Sequence, residues 1–112
     1  MKNKTLFQSK LKRKVLKNVL IDKQVSWLAN DENRELIKDF DKVSVVGVDM
    51  KQTSFDENCA SFCRDGNCDF LTADPKAYTH FFKIKKIKSV EISRFIRDKD
   101  PERYVYLMQI KL

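Results

Sequence analysis

Acidic side chains follow three apolar segments of the sequence, and this placement suggests chemistry at one edge of a folded sheet. Asp22 follows the run 19–21, Asp49 follows the run 43–48, and Asp74 follows the segment 70–73. Ligands of open α/β sheets bind beyond the carboxyl ends of the strands, near the point where strand order reverses. We therefore expect carboxylates from distant parts of the chain to converge there.

Asp56 and Glu57 add two acids at the start of the helix predicted to follow the second strand. Carboxylates at close range repel one another, so such a cluster is stable mainly when a divalent cation neutralises it. Mg²⁺ or Mn²⁺ is the expected cation. A metal held by carboxylates lowers the pKa of a water molecule and stabilises a leaving oxygen, which is the chemistry of phosphodiester hydrolysis.

Each acid also has a purely structural interpretation. Asp74 precedes Pro75 and is a good helix N-cap, Asp56 favours a helix amino end, and Asp22 can simply terminate a strand. The hypothesis of a site therefore depends on the acids occurring together at the same edge.

The periodicity of the apolar residues predicts the elements that must position these acids. Strands, helices and strands alternate, which predicts a three-layer α/β domain with a mainly parallel central sheet and antiparallel strands added at an edge. A capping box, Ser54 and Glu57, opens the second helix. The predicted strands span 19–21, 43–48, 70–71, 89–92 and 104–112, and the predicted helices begin near Asp31, Asp56 and Pro75.

Length and composition restrict the class of protein. A chain of 112 residues, 42% hydrophobic and 35% charged, has room for one ordinary domain, which excludes multidomain enzymes. It has no apolar run of about 18 residues, so we expect no membrane span and a cytoplasmic location. Its 11% aromatic content argues against disorder.

The positive charge is concentrated in an amino-terminal arm, residues 1–18. Of 23 basic residues seven lie in this arm, which has no acid, and the remaining 16 match the 16 acidic residues, so the formal charge of +7 belongs to the arm. The arm can be a solvated helix face or frayed tail, a phosphate-binding arm, or a membrane-surface helix. The candidate nucleic-acid-binding residues in it are Lys10, Lys12, Arg13, Lys14 and Lys17.

The cysteines Cys59, Cys63 and Cys68, with His80, allow a Cys3His zinc site in principle, but the usual C-x2-C knuckle is missing. Cys59, Phe62 and Cys63 have the spacing of one helix stripe. We therefore favour reduced cysteines packed in the core.

The segment 54–78 carries a resemblance to a known family. Ser-Phe-Asp-Glu opens a helix, and Cys-Asp-Phe-Leu-Thr-Ala-Asp-Pro-Lys-Ala-Tyr follows it. With Leu-Ile-Asp at 20–22, this pattern resembles small PIN-like nuclease domains of the PIN domain superfamily over residues 19–82. The resemblance implies that Asp22, Asp56 and Asp74 hold Mg²⁺ or Mn²⁺ for RNA cleavage and that Thr72 orients the last carboxylate.

The chain departs from the PIN-like pattern in two respects. Lys23 stands where short PIN-like proteins often have a further acid, and the family's second acid has no clear counterpart. Asp31, Glu32 and Glu35 are the unaligned candidates for it.

The leading functional hypothesis is a metal-dependent endoribonuclease that prefers single-stranded RNA and acts as a toxin or RNA-processing factor, with an antitoxin or a second copy as partner. One alternative is a catalytically silent PIN-like module that binds RNA or a protein. Another is an α/β partner protein in which Tyr104, Tyr106 and the last strand form a dimer edge.

Overall fold

The computed structural model describes residues 17–50, 56–99 and 102–112, with the backbone alone described at 36, 56–57, 96–99 and 102. The predicted arm therefore lies outside the described residues except for Lys17 and Asn18. Of these two, Asn18 is already the first residue of a strand. Ser54 of the predicted capping box also lies outside them.

Within residues 17–50, 56–99 and 102–112, five strands form one mixed sheet in the order β2-β1-β3-β5-β4. β1 is parallel to both β2 and β3, whereas β5 is antiparallel to β3 and to β4. An α/β fold is thus confirmed, but the antiparallel strands make up one side of the sheet. The strands are β1 Asn18–Ile21, β2 Val43–Val45, β3 Cys68–Thr72, β4 Ser89–Lys99 and β5 Glu102–Lys111.

In the part of the chain that the structure describes, three helices connect the strands: α1 Arg34–Ile37, α2 Asp56–Gly66 and α3 Tyr78–Phe81. A 3₁₀ segment, Lys23–Ala29, follows β1, and a second, Asp31–Asn33, leads into α1. Only Asn67 separates α2 from β3. This residue adopts a left-handed φ of 51°, which ends the helix.

The core is divided between the two faces of the sheet because side chains alternate along each strand. Val19 and Ile21 of β1 belong to one cluster, which includes Val25 and Leu28 of the first 3₁₀ segment. Leu20 belongs to the other cluster, on the face against α2, with Cys59, Ala60, Cys63, Phe70, Phe81, Met108 and Ile110.

The second strand is shorter than predicted. The contiguous, β-branched run 43–48 predicts a strand buried on both faces, but β2 ends at Val45, and Val48 is 79% exposed. Gly47 has a φ of 93°, which favours glycine, and the backbone turns there. β2 is also an edge strand, so its valines Val43 and Val45 are only half-buried.

The third helix begins later than predicted. Residues 75–77 form a turn, and α3 begins at Tyr78 rather than at Pro75. The sequence pattern predicts that Phe81 and Phe82 both lie on the apolar side of this helix. Phe81 is buried, but Phe82 is 59% exposed, so the prediction for Phe82 is wrong.

None of the helices among the described residues has the length and hydropathy needed to cross a bilayer.

Candidate functional site

Asp22 and Thr72 occupy neighbouring positions at the carboxyl ends of two parallel strands. Ile21 pairs with Leu71, and the N–H of Asp22 donates to the carbonyl of Leu71 at 2.8 Å, so the backbone pairing continues one residue beyond β1. Thr72 Oγ1 then donates to Asp22 Oδ2 at 2.8 Å. The register of β1 against β3 therefore fixes the position of the first predicted acid.

Asp74 is connected to the same hydroxyl. Its backbone N–H donates to Thr72 Oγ1 at 3.1 Å, so Thr72 accepts from one acid's backbone and donates to the other acid's side chain. Asp74 Oδ1 accepts from the N–H of Lys76 at 2.9 Å, which holds the turn leading to α3. The resemblance implies that Thr72 orients the carboxylate of Asp74. Its hydroxyl instead donates to the carboxylate of Asp22 and accepts from the backbone N–H of Asp74.

This edge is the point of strand reversal. From β1 the sheet continues to β2 on one side and to β3 on the other, so the carboxyl ends of β1 and β3 occupy the position where open α/β sheets commonly bind ligands. Asp22 and Asp74 are both half-buried at this edge.

The direction of α2 places the backbone of Asp56 near the same edge of the sheet. Only Asn67 separates α2 from β3, and Cys63 of α2 packs in one cluster with Phe70 of β3. The helix therefore runs back along the strand. Its 11 residues and the five of β3 both span about 16 Å, which places the start of α2 beside the end of β3.

The side chains of Asp22 and Thr72 lie on the face that carries α2. Each stands two positions after a residue of the α2 cluster, Leu20 and Phe70, and alternation keeps such residues on one face. The three predicted acids thus share one end of the sheet, with the side chain of Asp56 outside the described atoms.

The Asp22 carboxylate retains the capacity to bind a hard divalent cation. Asp22 Oδ1 accepts from the N–H of Lys23 at 2.8 Å and Oδ2 from Thr72, which leaves further lone pairs on each oxygen. Carboxylate oxygens are the preferred ligands of Mg²⁺ and Mn²⁺. Among the side chains described, however, no three His, Cys, Asp or Glu residues form a group able to hold a metal ion.

Asp49, the third acid expected at a strand exit, has a structural contact. Its Oδ2 accepts from the N–H of Val45 at 2.8 Å, and its own N–H donates to the carbonyl of Val45. The side chain is exposed and closes the turn after β2.

The candidates for the family's second acid lie on the surface around α1. Asp31 pairs with Arg34 at 3.0 Å, and Glu35 lies 3.4 Å from Lys38, both with exposed side chains. Glu32 is also exposed.

Lys17 is held at the opposite end of β1 from Asp22. Its Nζ donates to Asn67 Oδ1 at 2.7 Å and to the carbonyl of Ile110 at 2.9 Å, and lies 3.6 Å from Asp69 Oδ1. The Asp69 side chain is 1% exposed. These contacts give Lys17 a structural role, whereas Lys10, Lys12, Arg13 and Lys14 lie outside the described residues.

Asp69, which no sequence motif singled out, is the most deeply buried acid among the described residues. Oδ1 also accepts from the N–H of Ile110 at 3.0 Å, which ties β3 to β5. The signal that could have found it is the position of an acid inside the apolar segment 68–72.

The three cysteines are buried and reduced, which confirms the core interpretation. Burial raises the pKa of the Cys63 thiol well above its usual value, and Cys68, Cys59 and Asp69 raise it further. Burial also raises the pKa of Cys68. Thiols that stay protonated are poor nucleophiles and poor metal ligands.

Comparisons with known protein families, curated proteins and solved structures found no match to this chain.

Proposed function

We propose that this protein is a metal-dependent ribonuclease of the PIN-like type that hydrolyses phosphodiesters of single-stranded RNA. The observation that carries the proposal is the link formed by Thr72, whose hydroxyl connects the Asp22 carboxylate to the backbone of Asp74 at the reversal point of the sheet. Sequence resemblance and fold geometry therefore favour the same two acids.

In this proposal Asp22, Asp56 and Asp74 hold Mg²⁺ or Mn²⁺. When bound, the cation supplies Lewis acidity that lowers the pKa of water and offsets negative charge on the leaving oxygen. Thr72 acts as a positioning residue, because its hydrogen bond restrains the Asp22 carboxylate and limits the side chain's rotation. The basic arm, including Lys10, Lys12, Arg13 and Lys14, attracts the phosphate backbone.

The test is cleavage of a labelled single-stranded RNA with Mg²⁺, with Mn²⁺ and with a chelator. The wild type is expected to cleave only with metal, and Asp74→Asn to fall to the level measured with the chelator. Asp41→Asn is the matched control, because Asp41 is an exposed acid that precedes β2 at the other end of the sheet. Cleavage by Asp74→Asn at the wild-type rate would exclude the assignment.

A second candidate function is a catalytically silent module that binds RNA or a protein. It is favoured by the structural contacts of the acids, since Asp22 caps the segment Lys23–Ala29 and Asp74 holds the turn before α3. This candidate predicts RNA binding that depends on salt but not on metal, with no cleavage under any condition. Gel filtration with and without RNA distinguishes both from a dimer. The expected dimer edge at Tyr104, Tyr106 and the last strand is wrong, because β5 lies between β3 and β4.

A further inference from the structure

A basic groove of about 710 Å³ opens on the described surface, away from the acids. It lies between the carboxyl end of α2, the loop from α3 to β4, and the end of β5. We call it the basic groove; its lining residues are Arg64, Asp65, Lys85, Lys86, Lys88 and Leu112.

The pairing of the strands fixes which end of the sheet carries this groove. The N–H of Lys88 donates to the carbonyl of Lys111 at 2.7 Å, and Ser89 pairs with Lys111. β5 is antiparallel to β3, so the end of β5 lies beside the beginning of β3. The acids lie where β3 ends, about 16 Å farther along the strand.

The groove has a strong excess of positive charge, with four cationic side chains and one carboxylate. That carboxylate, Asp65, accepts from Arg64 Nε at 2.9 Å, which orients the guanidinium and uses only one of its five N–H donors. Lys85, Lys86 and Lys88 are exposed. Groups of this kind bind phosphate oxygens, and an oriented guanidinium does so with two donors at once.

The backbone at the groove is strained at one of its lysines. Lys86 has a φ of 78°, a region that side-chain-bearing residues rarely adopt and that favours glycine. The chain therefore carries a cation at a position where glycine would be conformationally preferred. Strained positions occur more often at binding sites than elsewhere.

We propose that the basic groove binds the phosphate backbone of single-stranded RNA, at nucleotides that flank those held near Asp22 and Asp74. This inference rests on the proposed function for the identity of the polymer. Lys17, the first described residue, contacts Asn67 at this same end of the sheet. The cations of the basic groove lie away from Asp22 and Asp74, so they do not neutralise these candidate metal ligands.

The shape of the surface favours RNA over a lipid membrane. A membrane surface is contacted by exposed amphipathic faces with large apolar side chains, whereas Leu112 is the single apolar residue among the six that line this concave site. A single strand enters such a groove and places phosphates along both walls.

The experiment measures RNA binding with a chelator present, on an Asp74→Asn background, by fluorescence anisotropy of a labelled oligouridylate at several salt concentrations. The variant K85Q/K88Q removes two groove cations. Its affinity is expected to fall, and the slope of log K against log salt to fall by about 1.4, since each phosphate contact of a single strand contributes about 0.7. Equal slopes with and without the substitutions would overturn the proposal.

The matched control is R34Q/K38Q, which removes two exposed cations, Arg34 in α1 and Lys38 directly after it, with the same change in net charge. It is expected to retain the wild-type slope. Equal losses in both variants would overturn the proposal, because they would show a general effect of charge. Binding of anionic vesicles or polyglutamate as tight as that of RNA would also overturn it.

Lys86→Gly separates binding from folding. Glycine removes the cation and relieves the strained φ, so RNA affinity is expected to fall while the melting temperature is unchanged or higher. Unchanged affinity would contradict the proposal. This assay measures no cleavage, so its result is independent of the nuclease assignment. The nuclease assignment is tested separately by the metal-dependent cleavage assay, and the two failures are distinguishable.

Discussion

Thr72 donates a 2.8 Å hydrogen bond to Asp22, although the two residues are 50 positions apart in the sequence. The bond spans β1 and β3 at their carboxyl ends, where Asp22 also extends the backbone pairing to Leu71. A strand register and a side-chain contact therefore restrain the same acid. This relationship connects the fold with the proposed chemistry.

Replacing Thr72 with valine tests this contact directly. Thr72→Val keeps the shape but loses the donor to Asp22 and the acceptor for the N–H of Asp74, so we expect a loss of about 1–3 kcal/mol in the free energy of unfolding. If Thr72 positions the acid, metal affinity falls by about 10–100-fold in addition. Urea unfolding with and without Mn²⁺ measures both effects.

Thr79→Val is the control for Thr72, because the Thr79 hydroxyl donates to the carbonyl of Lys76 on the exposed surface. It is expected to change stability by less than about 1 kcal/mol and to leave metal affinity unchanged. Equal metal affinity in Thr72→Val and the wild type would contradict a positioning role.

Metal binding itself should appear as thermal stabilisation. A ligand at 100 times its dissociation constant stabilises the folded state by about 2.7 kcal/mol, so saturating Mg²⁺ or Mn²⁺ should raise the melting temperature of the wild type. We expect Asp22→Asn to lose this rise and Asp41→Asn to keep it. A rise of equal size in Asp22→Asn would place the ion elsewhere.

Substitution of Asp56 tests whether the start of α2 lies close enough to Asp22 and Asp74 to supply a third metal ligand. Asp56 and Asp65 stand near opposite ends of α2, and only the first lies at the proposed metal end of the sheet. Asp56→Asn is therefore expected to reduce the metal-induced rise in melting temperature, while Asp65→Asn keeps it. The reverse pattern would show that α2 contributes no ligand from its amino end.

Lys17 should matter for stability because it compensates a buried charge. Lys17→Met leaves the carboxylate of Asp69 without its ammonium partner, and we expect a loss of about 3 kcal/mol in the free energy of unfolding. In the double variant with Asp69→Asn the two losses should not add. A Lys17→Met variant with wild-type stability and weaker RNA binding would instead favour the original assignment of Lys17 to the RNA-binding arm.

The buried thiols predict a loss of stability in alkali. Burial raises the pKa of Cys63, so the folded state keeps its proton after the unfolded chain has lost it. The contribution of this thiol is complete below about pH 8.5 and then falls by up to about 1.4 kcal/mol per pH unit until the folded pKa is reached. Urea unfolding between pH 7 and 10 should show a shallower decline in Cys63→Ala than in the wild type. Parallel curves would contradict a raised pKa.

The positions of Asp22 and Asp74 could be predicted from the sequence because each follows a short apolar strand, and strand exits of parallel sheets share one edge. β1 and β3 were predicted for the same reason. The length of β2 could not be predicted, because Val46 and Val48 are β-branched like their neighbours, and the turn at Gly47 depends on the contact between Asp49 and Val45.

Asp69 could not be predicted to be a core residue from its type. Its burial depends on Lys17 and on the N–H of Ile110, which are 52 and 41 positions away in the sequence. Lys17 becomes a neighbour when β1 pairs with β3, and Ile110 when β5 pairs with β3. Predicted β4 was also too short, because the residues after Ile92 are mostly polar or charged. Pairing with β5 continues through them to Lys99.

β4, the longest described strand, is an edge strand of the sheet. The backbone N–H and C=O groups along its outer side face away from β5. Such a row can recruit a second chain and seed aggregation, particularly when the strand is flat and apolar. Here the ladder is interrupted by a register shift between Ile96 and Asp98, and Arg94 places an exposed cation before that interruption. Intermolecular pairing along the full border is thereby discouraged, and high protein concentrations should be tolerated without fibril formation.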